Sequence, residues 1–184
     1  MKDLNLLVEK LKLVGAQGTD EGNFASVVKD IALFYQDNFQ LEADEVAILM
    51  TDKEKAVLFF VYPDYLVNAG MIPVNSPDAF VSHIFKSGRG MIENNFNQQK
   101  HLHLFEYINP PGKKKRIIWK LMGAVLKADG EKIGAIELSR KAATAQEAGE
   151  DFTPEGLVFL EKSIAHLAPF LQKVTPADFS IKLT

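Results

Sequence analysis

Two short runs in the first half of the chain, EVAILMTD and AVLFFVYP, restrict the possible folds of this sequence more than its other features do. Both are apolar and rich in β-branched and aromatic residues, and the polar TDKEK between them is typical of a turn, so a hairpin is predicted over 46–62. In the second run, alternate residues point to opposite faces. The two sets are Val57, Phe59 and Val61 on one face and Leu58, Phe60 and Tyr62 on the other. Because both faces are apolar, the sheet must be covered on both sides.

Helix and strand signals elsewhere complete the order of elements. Apolar residues at helical spacing predict helices over 3–14 and from 23 to about 40, the second with Asn23 as its N-cap. Ser76 followed by Pro77 predicts the start of a short middle helix, and Thr153 followed by Pro154 predicts the start of the last helix. Further strands are predicted near 90–94, 117–127 and 132–140, and YPDYLVNAGMIPVNS is predicted to be a loop. The resulting order, α-α-β-β-α-β-β-β-α, indicates a single α+β domain.

Composition sets the class of protein. The 184 residues suit one large domain, and 47% hydrophobic with 24% charged residues is ordinary for a globular chain. We expect an N-terminal amphipathic helix over 1–18, one domain over 19–174 and a tail over 175–184. No run approaches the roughly 20 apolar residues of a membrane span, so a soluble, cytoplasmic protein is predicted.

Charge and cysteine content exclude several functions. The net charge of −3 predicts no attraction to nucleic acid or to an anionic membrane. The basic run KKKR, which ends at Arg116, follows two prolines and a glycine and is interpreted as a solvated loop. No cysteine is present, which excludes disulfides, thiolate metal sites, thiol catalysis and a bilin attached through sulfur.

Histidines supply the candidates for metal binding and catalysis. His101 and His103 share a face of an extended strand, and Glu106 could join them. Zinc needs three or four ligands, so a polar loop is the favoured interpretation and no metal is predicted. Ser82 and His83 are adjacent on a predicted helix and do not face each other, so no catalytic pair is predicted there. We expect the chain not to be an enzyme.

Three segments resemble parts of the GAF domain, a small-molecule-sensing module of signalling proteins. The segment IWKLMGAVLKADGEKIGAIELSRK resembles the final hairpin of that family, and DFTPEGLVFLEKSIAHLAPFL resembles its closing helix. FKSGRGMIENNF resembles the end of the mid-domain helix and the strand that follows. The resemblance extends from roughly Asn23 to Lys173.

The resemblance implies a central antiparallel sheet of five or six strands, with helices from both chain ends on one face. Loops and the short middle helix would cover the other face and enclose a ligand chamber. Aromatic and polar side chains on the loops and strands around that chamber are its predicted lining. These residues are Tyr65, His83, Asn94, Asn95, His101, Phe105, Trp119 and Glu137. For Glu137, a charge at a strand end that pairs near solvent is the alternative interpretation.

The leading functional hypothesis is therefore a non-catalytic sensory domain that binds an unidentified small molecule and signals to a separate partner. A homodimer through the terminal helices is expected by the same resemblance. The alternative is a ligand-free interaction module, in which TPADFSIKLT could add a strand or dock on a neighbour. A third hypothesis is a haem or redox sensor, with His83 or His101 as the haem ligand. The Asn-Lys…Phe…Asp-Glu set of cyclic-nucleotide-binding members is not found in order, which disfavours such ligands, and no cofactor is assigned.

Overall fold

A computed structural model describes residues 2–16, 18–96, 112, 116–176 and 179 of the chain. The strands of this part form one antiparallel sheet, in the order β3-β2-β1-β6-β5-β4, as the predicted fold class requires. Their bounds are β1 (Val46–Thr51), β2 (Val57–Tyr62), β3 (Met71–Pro73), β4 (Met91–Glu93), β5 (Ile117–Ala128) and β6 (Glu131–Ala142). The long β5–β6 hairpin closes through Asp129 and Gly130, which both have positive φ, as a two-residue type I′ turn needs.

Helices cover both faces of this sheet. They are α1 (Leu4–Gly15), α2 (Glu21–Phe39), α3 (Phe80–Ser87) and α4 (Pro154–Val174). The three helices from the chain ends pack on the face that presents Ile48, Phe59 and Ile136, and α3 packs on the face that presents Leu49 and Phe60. The two apolar faces of the β1–β2 hairpin are thus both buried, as the sequence predicts. No helix of the described part is long and apolar enough to cross a bilayer.

A buried hydrogen bond joins α2 to α4 within the helix layer. The hydroxyl groups of Tyr35 and Ser163 lie 2.9 Å apart, and both side chains are buried. Burial raises the pKa of the Tyr35 phenol well above its ordinary value, against the smaller lowering effect of the hydrogen bond to Ser163. The phenol therefore stays neutral and satisfied within an otherwise apolar layer.

Two lysines fix the C-terminal end of α3 above the sheet. Lys132 Nζ donates to the carbonyl oxygens of Phe85 at 2.6 Å and Lys86 at 2.9 Å, and Lys127 Nζ donates to that of Gly88 at 2.9 Å. Cations near a helix C-terminus satisfy its free carbonyl groups and its dipole. Gly88 itself ends the helix in the left-handed conformation.

Three sequence-based predictions of element boundaries are wrong. The N-cap of α2 is Asp20, whose Oδ1 accepts from the backbone N–H of Asn23 at 2.7 Å, so the helix begins at Glu21. Residues predicted as a loop contain β3, which pairs with β2 over three residues. Because that pairing and a turn from the Ser76 N–H to the Pro73 carbonyl hold the preceding chain, α3 begins at Phe80 and not at Pro77.

One asparagine joins the strand edge to the start of α4. Asn94, directly after β4, donates from Nδ2 to the carbonyl oxygen of Phe152 at 3.0 Å and accepts from the Phe152 N–H at 3.0 Å. This pair of bonds satisfies both backbone groups of a buried residue just before the N-cap Thr153. Asn94 therefore acts as a structural tie between the sheet and the helix layer.

Replacing Asn94 by alanine should destabilise the fold by about 1–3 kcal/mol, because the Phe152 backbone loses both partners. For a chain of this length, that lowers the Tm by roughly 2–10 °C in a thermal unfolding scan. The neighbouring Asn95 is exposed, so Asn95→Ala is the matched control and should leave the Tm nearly unchanged. Equal effects of the two substitutions would show that the tie does not stabilise the fold.

Gly134 marks the closest approach of β6 to β1. A Cβ atom placed there would lie far inside contact distance of the Leu49 carbonyl oxygen, and backbone cannot yield as a flexible side chain can. Gly134→Ala should therefore destabilise the fold by about 1–3 kcal/mol, the usual range for overpacking. Chemical denaturation measures the loss, and Gly156→Ala, in the first turn of α4, is the control because its Cβ would meet Phe39 and Thr153 at ordinary contact distances. An unchanged midpoint for Gly134→Ala would contradict the close approach.

Candidate functional site

A cavity of about 90 Å³ lies between α3 and the face of the sheet that α3 covers. Its walls are largely apolar, with aromatic rings from β2, α3 and the segment after β4. These rings belong to Phe60, Phe80 and Phe96. Among the described residues the polar lining consists of Asp44, Asp78, Glu137, Ser139 and Lys141. A mostly apolar concave surface with a few convergent polar groups is the usual form of a small-molecule site.

Strand β6 supplies three of the polar groups from one face. Glu137, Ser139 and Lys141 occupy alternate positions and therefore project to the same side as Ala135, which packs in the core under α3. Residues between them, such as Ile136 and Leu138, are fully buried against the helix layer. One face of β6 therefore packs in the core against the helix layer. The other face changes from apolar to polar along the strand, where it borders the cavity.

An ion-pair cluster closes the polar end of this cavity. Arg116, just before β5, lies 2.7 Å from Asp44 and makes a two-pronged contact with Glu42 at 2.9 and 3.2 Å. Burial lowers the pKa of Arg116, but the hydrogen bond and charge of Asp44, with Glu42 and Glu45, raise it overall above its ordinary value. Arg116 is therefore a fixed cation that compensates the buried carboxylates.

The same cluster reaches Lys141 on β6. The backbone N–H of Lys141 donates to Glu45 Oε1 at 2.6 Å, and its Nζ lies 3.9 Å from Asp44 Oδ2. Ser139 Oγ donates to the Glu45 carbonyl oxygen at 3.2 Å. These contacts fix the turn before β1 against β6, so the polar groups at this end of the cavity are held in position before any ligand arrives.

The cavity's size limits what it can hold in this conformation. A cavity of about 150 Å³ accepts benzene, so about 90 Å³ admits only a few non-hydrogen atoms. Phe80 and Phe96 contact edge to face at its apolar end, with ring centroids 6.0 Å apart. A larger ligand must displace one of these rings, or bind partly outside the cavity.

The structure brings few of the residues named from the sequence into the cavity. Glu137 lines it. Tyr65 lies beside it, packed against the core under α3, and its buried hydroxyl has no hydrogen-bond partner among the described residues. Burial first, and the nearby charge of Asp44 second, raise the pKa of this phenol.

Other predicted lining residues lie elsewhere. His83 is on the exposed side of α3, where its Nε2 lies 2.7 Å from the Pro77 carbonyl oxygen. Trp119 sits where the β5–β6 register shifts and donates from Nε1 to the Ala142 carbonyl oxygen at 3.3 Å. Asn94 ties the strand edge to Phe152, and Asn95 is exposed. His101 and Phe105 lie outside the described residues.

Four polar lining residues were not anticipated from the sequence: Asp44, Asp78, Ser139 and Lys141. Ser139 and Lys141 continue the alternation that begins at Ala135 and Glu137, so extending that pattern would have found them. Asp44 and Asp78 lie before β1 and before α3, and their convergence depends on how these elements pack. No sequence spacing signals it.

The described residues contain no group of three or more histidine, aspartate or glutamate side chains arranged to hold a metal ion. The candidate set of His101, His103 and Glu106 falls outside them.

Comparison with known proteins finds similar structures but no similar sequences. No family model and no curated protein sequence matches the chain. Solved structures do match: the GAF domain of an Acinetobacter phosphoenolpyruvate-protein phosphotransferase superposes with a TM-score of 0.63 at 10% identity, covering 94% of this chain and 95% of that one. The second GAF domain of DevS from Mycobacterium smegmatis gives 0.54 at 16% identity, covering 81% and 93%.

An enzyme shares the fold as well. The free methionine-R-sulfoxide reductase from Neisseria meningitidis, solved in complex with its substrate, superposes with a TM-score of 0.61 at 12% identity. The match covers 95% of this chain and 93% of the reductase. At these identities the likeness concerns the fold alone. The chain has the GAF-domain fold.

Proposed function

We propose that this chain is a non-catalytic sensory domain that binds a small polar molecule in the cavity beneath α3. The observation that carries the proposal is the position of Glu137, Ser139 and Lys141, which place a carboxylate, a hydroxyl and an ammonium group on one otherwise apolar surface. A few polar groups that converge on a largely apolar concave surface are the usual means by which a small-molecule site orients its ligand. The fold of the neighbouring phosphotransferase and DevS domains agrees with a regulatory role.

The ligand's class follows from the charges around the cavity. In the part of the chain that the structure describes, three carboxylates, from Asp44, Asp78 and Glu137, line it together with one ammonium, from Lys141. Arg116 compensates Asp44, which leaves a mixed surface suited to a ligand with both donor and acceptor groups. Its apolar part would contact Phe60 and displace Phe80 or Phe96. Such a displacement would transmit binding to α3 and from there to a separate partner.

The absence of catalysis is part of the proposal. The sulfoxide reductases that share the fold are implied by the family resemblance to work through cysteine, and this chain has none. A reductase that uses thiols is therefore excluded as an assignment for this chain. Binding without turnover is the function that the remaining side chains support.

Removing the Glu137 charge should weaken the ligand's binding. Glu137→Gln should raise the Kd about 10–100-fold, because a charge-assisted hydrogen bond contributes about 1.5–3 kcal/mol. The compound to test is whatever native mass spectrometry detects in freshly purified protein, and isothermal titration of the stripped chain gives the Kd. Glu150→Gln, an exposed carboxylate away from the cavity, is the control.

Two results would contradict the proposal. The first is a retained compound whose affinity is the same for the wild type and Glu137→Gln. The second is a protein that carries no compound and gains no thermal stability from any member of a library of polar metabolites.

A second function, dimerisation without a ligand, is favoured by one surface. Leu6 and Leu13 on α1 are 73% and 71% exposed. They are seven residues apart and share a helix face. The small volume of the cavity also favours a function that needs no ligand. A second copy of α1 would cover both leucines in a homodimer through the terminal helices.

Replacing Leu6 and Leu13 together by glutamate should dissociate such a dimer. Charges on both faces of a symmetric contact repel, so sedimentation or light scattering should report a monomer, with an unfolding midpoint near that of the wild type. Met71→Glu, an exposed apolar residue on the sheet edge, is the control and should leave the mass unchanged. A wild type that is monomeric at high micromolar concentration would rule the dimer out.

A further inference from the structure

A second concave surface lies on the opposite face of the sheet, beyond the cover that α2 and α4 provide. It consists of a cavity of about 600 Å³ beside α2 and β2 and one of about 450 Å³ beside the β1–β2 turn and the end of α4. Both are lined by Pro176 and Phe179 of the C-terminal segment. Phe179 therefore lies between the two cavities, which together form one trough beside the sheet.

Phe179 is seated on two aromatic side chains of the core. Its ring centroid lies 4.6 Å from that of Phe24 on α2 and 5.2 Å from that of Phe59 on β2, in tilted geometry. Phe24 and Phe59 are buried, and Phe179 is partly buried. Such ring pairs contribute about 0.5–1.5 kcal/mol beyond the area that they bury. With empty space on both sides, this seat is under-packed compared with a protein core.

The local chain geometry directs Phe179 to this seat. Thr175 ends α4 with an extended backbone, and its Oγ1 donates to the Leu171 carbonyl oxygen at 2.7 Å. Pro176 cannot continue the helix, and a turn follows in which the Phe179 N–H donates to the Pro176 carbonyl oxygen at 3.1 Å. Phe179 is therefore brought back against the sheet within five residues of the end of α4.

Strand β2 borders both this trough and the cavity beneath α3. Phe59 faces Phe179, and the next residue, Phe60, lines the cavity on the other side. Successive residues of a strand point to opposite faces. A displacement of β2 would therefore move side chains in the trough and in the cavity at the same time.

From this arrangement we infer that Phe24 and Phe59 form a socket for an aromatic side chain, and that Phe179 of the chain's own C-terminal segment occupies it. The bound ring is displaceable, because among the described residues Phe179 alone makes the aromatic contact with this socket and cavities adjoin it on both sides. The socket is a protein-interaction site on the sheet face opposite the α3 cavity.

A labelled peptide tests the socket in the full-length chain. The peptide TPADFSIKLT, corresponding to residues 175–184, is titrated by fluorescence anisotropy into the wild type and into Phe179→Ala. The wild-type socket is occupied by its tethered ring, at an effective concentration in the millimolar range, so the peptide should bind Phe179→Ala at least about tenfold more tightly. Phe24→Ala added to Phe179→Ala should abolish that binding. Val158→Ala, an exposed apolar residue on α4, should bind as the wild type does.

Equal binding to the wild type and to Phe179→Ala, or equal binding of a peptide with alanine in place of its phenylalanine, would overturn the inference. A second measurement covers the case in which Phe179→Ala folds poorly. In a chain with Trp119→Phe and Phe179→Trp, the single indole should emit at short wavelength and resist quenching by acrylamide, and Phe24→Ala should remove this protection. An indole that behaves as fully exposed before Phe24 is changed would also overturn it.

Discussion

The requirement that both faces of one sheet be buried governs this structure. Along β1, Ile48 and Met50 pack under the helix layer, whereas Ala47 and Leu49 face α3. The same alternation runs through β2 and β6, so each central strand contributes to two cores at once. Neither the cavity beneath α3 nor the trough that holds Phe179 could exist without this division, since each forms where one cover is incomplete. The lysine contacts at the end of α3 then fix the smaller of the two covers in place.

Among the described residues the buried carboxylates lie at one place, and their pairing explains how they are tolerated there. Asp44 and Glu45 are buried carboxylates, and an isolated buried charge would be strongly unfavourable. Arg116 and Lys141 compensate them through short contacts to side chains and backbone. A buried ion-pair cluster of this kind contributes little net stability, because desolvation offsets the attraction. The cluster instead holds the side chains at the polar end of the cavity in one arrangement.

Much of the fold could be predicted because the signals are local. The hairpin over 46–62, the Asp129–Gly130 turn and the Thr153–Pro154 helix start each depend on residues close together in sequence. Two boundaries failed because a neighbouring strand decided them: the pairing of β3 with β2 makes part of a predicted loop a strand, and α3 begins later than predicted. The third, the N-cap of α2, was missed although Asp20 lies only three residues from the predicted cap. The candidate site was harder still. Glu137 was found because strand alternation places it, whereas Asn94 was named as a ligand residue and is occupied with the Phe152 backbone.

The sequence by itself determined a cysteine-free α+β domain whose sheet needs cover on both faces, and the residues that point to each face. These properties follow from composition and from the two-residue period of a strand. Tertiary structure decided which polar residues meet. Asp44, Asp78 and Lys141 are far apart along the chain and converge only when α3 and the turn before β1 pack against β6. It also decided that Phe179 lies on Phe24 and Phe59, because contacts between distant segments depend on packing, which no local pattern encodes.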